Sequence, residues 1–161
     1  MQHRNPLLQQ TVQQIQAKVP PDLMPTFQRI VLAGEKVMYA PQTHAMMVNQ
    51  LKGNPNQAEA VGEGIAKLFA ILLHESKGTL NMKAAMPAMV VLLCDALDFM
   101  EQTMGVKVTP QLLAAATKEM GSALLQVMGV TPDKLNQMMA KVQQQQAPAQ
   151  PGGIVSSATG G

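Results

Sequence analysis

Three carboxylates recur along one stretch of the chain: Asp95, Asp98 and Glu101, at positions i, i+3 and i+6. On a helix this spacing puts them on one stripe. Such a stripe has the means to hold a divalent cation or to pair with lysines of a neighbouring helix. No His or Asn joins it, so the expected state is a solvated stripe, or one satisfied by lysine at an interface.

Other chemistry fails for want of a partner residue. His74-Glu75 begins a zinc-protease helix pattern, but position 78, where the second His belongs, is Gly. A helical di-metal site needs a His three residues after a Glu, and no Glu of this chain has one. Gly62-Glu63-Gly64 lacks the remainder of a phosphate cradle, and no strand precedes it. The serines have no nucleophile-elbow context. Cys94 is the only cysteine and sits in an apolar run, which predicts a buried, inert thiol and rules out an intrachain disulfide. His44 and His74 read as surface or capping residues. The sequence therefore predicts no enzyme, no cofactor, no metal and no small-molecule substrate.

The elements that would position these residues are helices, punctuated by proline at their starts and glycine at their ends. Asn5-Pro6 opens the first, with Leu8, Val12, Ile15 and Val19 as an apolar stripe and Gln9, Gln10, Gln13, Gln14 and Gln16 opposite. Pro20-Pro21 stops it. Asp22 is the expected cap of the second helix, whose apolar face is Leu23, Phe27, Ile30, Val31, Gly34, Val37 and Met38. Gly34 reads as a close-packing point. Ala40-Pro41 marks a kink or a new start, and the turn at 53–56 closes the third helix. The fourth is expected from about Gln57 to Ser76, where Gly62 and Gly64 imply a closely approaching neighbour. The fifth is expected from Met86-Pro87 to Met104, apolar nearly all round and hence central. Thr109-Pro110 opens a sixth helix running to Met128, and Thr131-Pro132-Asp133 a seventh carrying Leu135, Met138, Met139 and Val142. The expected fold is all-α, a compact bundle of about six or seven helices over residues 1–142. A Gln/Pro/Gly/Ser-rich tail, 143–161, is expected to be flexible unless a partner holds it.

Composition narrows the function. Of 161 residues, 47% are hydrophobic and only 14% charged, against about 25% charged in ordinary domains. Net charge is +2 with the basic residues scattered singly, so no specific nucleic-acid partner is expected. Aromatic side chains are limited to Phe27, Tyr39, Phe69 and Phe99, while methionine reaches 14. Protein interfaces are depleted in charge and enriched in Met, which adapts to irregular partners. The candidate partner interface is Leu8, Gln9, Val12, Gln13 and Gln16 of the first helix, Met138 and Met139 of the seventh, and Ile154 and Val155, which suit addition to a partner's sheet edge. The longest apolar run, 84–94, is too short to span a bilayer. The N-terminus opens a Gln-rich segment in place of an apolar signal core, so synthesis as a soluble cytoplasmic chain is expected. Membrane contact is expected only after rearrangement, because interfacial helices with basic polar faces are missing.

The stretch Val19-Pro-Pro-Asp-Leu-Met-Pro-Thr-Phe-Gln-Arg-Ile-Val-Leu-Ala-Gly-Glu-Lys-Val-Met-Tyr resembles small helical virion proteins of tailed bacteriophages, particularly short-tailed ones. Gly64-Ile-Ala-Lys-Leu-Phe-Ala-Ile-Leu-Leu-His-Glu-Ser-Lys-Gly adds to the resemblance, which with the fifth helix covers residues 19–105. No catalytic motif defines such proteins, so no site residues carry over. The resemblance implies a non-enzymatic structural protein of the particle, made in the host bacterial cytoplasm. Its partners would be other virion proteins or copies of itself. An internal, portal-proximal position, with possible ejection alongside the genome, is the first expectation. A capsid-associated or head-tail assembly protein, a membrane-active helical protein and a regulatory binding module are the alternatives.

Overall fold

The computed structural model describes residues 4–129 and the single helical positions Asp133, Gln137 and Ala140. Among the described residues six continuous helices follow in order: α1 (Pro6–Lys18), α2 (Met24–Met38), α3 (Pro41–Gly53), α4 (Gln57–Glu75), α5 (Met82–Met104) and α6 (Pro110–Val127). All six lie in one packed unit that ends at Val127. Apart from Asp133, Gln137 and Ala140, the expected seventh helix and the whole tail lie outside the described residues, including Met138, Met139, Ile154 and Val155.

The local signals act where they stand. The Asn5 side chain accepts from Leu7 N at the start of α1, and Pro6 takes the first helical position, where no N–H is needed. Thr109 Oγ1 accepts from Leu112 N at 3.1 Å, capping α6. Gly105 ends α5 in the left-handed region, φ 69°, which a side chain disfavours.

Two starts differ from expectation. Asp22 does not cap α2: the cap position falls on Leu23, without a side-chain hydrogen bond, because residues 20–24 first close a turn through Leu23 N→Pro20 O and Met24 N→Pro21 O. The fifth helix begins at Met82, ahead of Met86-Pro87. Asn81 accepts from Lys83 N at 3.0 Å and Ala84 N at 3.4 Å, and this cap starts the helix before the proline, leaving Pro87 inside it. The missing Pro87 N–H forgoes one hydrogen bond to Lys83 O.

α5 is the central element, with thirteen of its 23 residues buried, among them Met89, Leu92, Leu93 and Leu97 at 0% exposure. Each such side chain contributes about 1.5–3 kcal/mol by leaving water. Two glycines bring neighbours close. A Cβ at Gly34 would overlap the end of the Leu92 side chain, and one at Gly62 would stand 2.7 Å from Met120 N on α6. α4 and α6 form the most extensively packed pair of helices. Gly64 differs, since a Cβ there would meet only Met47 Cε, at 3.8 Å.

Candidate interaction face and the α5 carboxylates

The stripe on α5 is not solvated. Asp95 is 1% exposed and Asp98 4%. Burying carboxylates costs free energy unless hydrogen bonds satisfy them. Asp98 accepts from Arg4 N at 3.3 Å and from Gln102 Nε2. Glu101 Oε2 accepts from Asn5 Nδ2 at 2.9 Å and from Val108 N at 3.1 Å, and Asn5 Nδ2 also reaches Val108 O at 3.5 Å. The chain's own N-terminal segment and the linker before α6 thus take the place expected for lysine. Asp98 and Glu101 fasten the start of α1 and the α5–α6 connection to the core. Among the described residues no group of three or more His, Cys, Asp and Glu is arranged to hold a metal ion.

Cys94 is 0% exposed, and its thiol is pushed up to about 12, first by burial and then by the neighbouring Asp95 carboxylate. A thiol so protonated is a poor nucleophile. Tyr39 is also held above its ordinary value by burial and by the carboxylates of Asp95, Glu35 and Asp98.

At the end of α2, Tyr39 opens an aromatic chain that the sequence did not reveal. Its ring centroid lies 5.9 Å from that of His44, which meets Phe99 edge-on at 4.9 Å. His44 is half-buried, its ring set between Tyr39 at the end of α2 and Phe99 of α5, and does not stand free on the surface. The recess beneath the rings, between α3 and α5, encloses about 10 Å³, room for one water molecule and no ligand.

The expected α1 interface divides in two. Leu8 is 0% exposed and belongs to the protein's own core, and Val12 packs partly buried against that core. The stripe on α1 faces α5, which the helix needs in order to bury its only apolar side; Leu8 is therefore not available to a partner. Gln9, Gln13 and Gln16 are exposed. Along all of α1 the only charged residue is Lys18, in the last turn. Gln16 continues onto α2 across a shallow groove that it lines with Phe27, Gln28, Val31, Leu32 and Glu35. Leu32 itself is 63% exposed, with Arg29 and Lys36 on its other flank. This solvent-facing leucine was not singled out by periodicity, because it lies off the apolar stripe of α2.

Among the described residues no helix is long and apolar enough to cross a membrane. No family model, no curated protein and no solved structure matches the chain.

Proposed function

We propose that this chain is a non-enzymatic structural component of a phage particle, packed by its α1–α2 face against other virion proteins or further copies of itself. The observation that carries the reading is the outer face of α1. It presents Gln9, Gln10, Gln13, Gln14 and Gln16 to solvent and no charge before Lys18. A helix whose outer face meets only water ordinarily carries charges there. Glutamines hydrogen-bond a partner without the desolvation cost of ions, and the exposed Leu32 beside them supplies an apolar anchor. The resemblance of residues 19–105 to small helical virion proteins supports the same reading, and an internal position near the portal is the one we favour.

Mass spectrometry of particles made by the genome that encodes this chain, intact and after genome release, tests the proposal. The chain present in intact particles and lost on emptying supports an internal, ejected component. Retention in emptied particles moves it to the shell, and absence from intact particles overturns the structural role.

A further inference from the structure

α3 and α1 are the two most thinly buried helices of the Met1–Val127 unit, each with one buried residue, but α1 starts on the Asn5 cap that Glu101 holds, whereas α3 starts without a side-chain cap. Of its 13 residues only Leu51 is buried, against ten of 19 in α4. Its first turn begins at Ala40, which offers no side-chain cap, and both flanking residues, Ala40 and Asn54, are extended, with ψ of 138° and 117°. Met46 stands 68% exposed on its outer side. Beneath it lies the recess between His44, Met47 and Leu51 of the helix and Met38, Ala96 and Phe99 of the body, so packing there is incomplete.

Two latches hold it down. One is the His44 ring against Phe99. The other is Gln50, whose Nε2 donates to Ala60 O and Glu63 Oε2, both at 3.4 Å, while its Oε1 accepts from Lys67 Nζ at 3.0 Å. The connection to α4 is pinned separately, by Asn54 Nδ2 to Glu59 Oε1 at 3.3 Å and Asn56 N to Asn54 Oδ1 at 2.9 Å. α1 shares the single buried residue and the extended joints but is fixed at its start; a helix such as α3, with those joints, no side-chain cap and only polar and ring latches, has the makings of a unit that opens locally.

We infer that α3 is a hinged strap, closed over α2, α4 and α5 by His44 and Gln50, that opens as one piece while the remaining helices stay folded. Opening bares Met38, Ala96 and Phe99 and releases Met46 and Met47, a methionine-rich apolar surface that suits irregular partners. The inference is independent of where the chain acts, since opening is a property of the isolated monomer.

Hydrogen exchange of the full chain without denaturant tests it. Amides of 44–53 are expected to exchange at least about tenfold faster than those of 60–72 and 88–100. Gln50→Ala and His44→Ala should each accelerate α3 several-fold further and leave α5 unchanged. Exchange of α3 as slow as that of α5 overturns the inference. So does acceleration of all helices together in both variants, which would make α3 part of the global folding unit.

Discussion

Asn5 and Glu101, 96 residues apart, meet through a hydrogen bond of 2.9 Å from Asn5 Nδ2 to Glu101 Oε2. The same Asn5 caps α1 through its Oδ1, and the same Glu101 oxygen accepts from Val108 N. One carboxylate therefore fixes the start of α1 and the approach to α6. Removing it takes the acceptor from Val108 N and leaves Asn5 Nδ2 only its 3.5 Å contact to Val108 O, at about 1–3 kcal/mol in all. Glu101→Ala should lower stability to urea by this amount. Glu101→Gln, which keeps one carbonyl oxygen in place, should recover part of the loss.

Gly62 and Gly64 lie two residues apart on α4 and should respond oppositely to alanine. A Cβ at Gly62 meets Met120 N at 2.7 Å and Glu119 Cβ at 2.9 Å, atoms of a helix that cannot yield without moving. Gly62→Ala is expected to cost about 1–3 kcal/mol, more than the roughly 1 kcal/mol gained in helix propensity. At Gly64 the added methyl finds ordinary contact with Met47 Cε at 3.8 Å, so Gly64→Ala should be neutral or stabilising by up to about 1 kcal/mol. Thermal unfolding of the two variants separates the outcomes.

Alkaline pH should weaken the fold through two groups. The folded chain favours the neutral forms of Cys94 and Tyr39, whose ordinary values are 9.0 and 10.0. Below the lower value both folded and unfolded chains keep these protons, and the contribution is whole. As pH rises further the unfolded chain ionises first, and stability falls, for the thiol until its folded value of about 12. Urea midpoints measured between about pH 8 and about pH 10.5 should fall, and less steeply in Cys94→Ala and in Tyr39→Phe than in the parent.

The buried thiol also makes a kinetic prediction. Because Cys94 is 0% exposed and protonated, reaction with an aromatic disulfide reagent at neutral pH should be negligible in the native protein and rapid in urea. Modification in the native state at the rate of a free thiol would show that the centre of α5 opens readily.

Much of the fold was legible because its boundaries are set locally. Asn5-Pro6, Thr109-Pro110 and Gly105 each determine a helix end with their own atoms, and the apolar run of α5 announced its central place. Pro87 misled because proline is most common in a first turn, whereas the Asn81 side chain starts the helix five residues earlier. The carboxylate stripe was legible as a stripe, but whether it faced water was not. Spacing places Asp95, Asp98 and Glu101 on one side of a helix; what meets Asp98 and Glu101 there is Arg4, Asn5 and Val108, brought in by long-range folding. Leu8 shows the same limit from the other direction. Its stripe is plain in the spacing, yet periodicity does not tell whether an apolar face meets the chain's own core or a partner.

The central claim is that the chain works by packing its α1–α2 face in a particle. Leu32, 63% exposed, can carry a charge without disturbing the core, so Leu32→Glu should fold with parental stability. Quantitative mass spectrometry of purified particles carrying either form tests the claim most directly. The account predicts that the parent chain is present at fixed copy number and that incorporation of Leu32→Glu falls about tenfold or more, as expected when a central apolar anchor becomes a buried charge. Equal incorporation of both forms would contradict the assigned face, and absence of the parent chain from the particles would contradict the account as a whole.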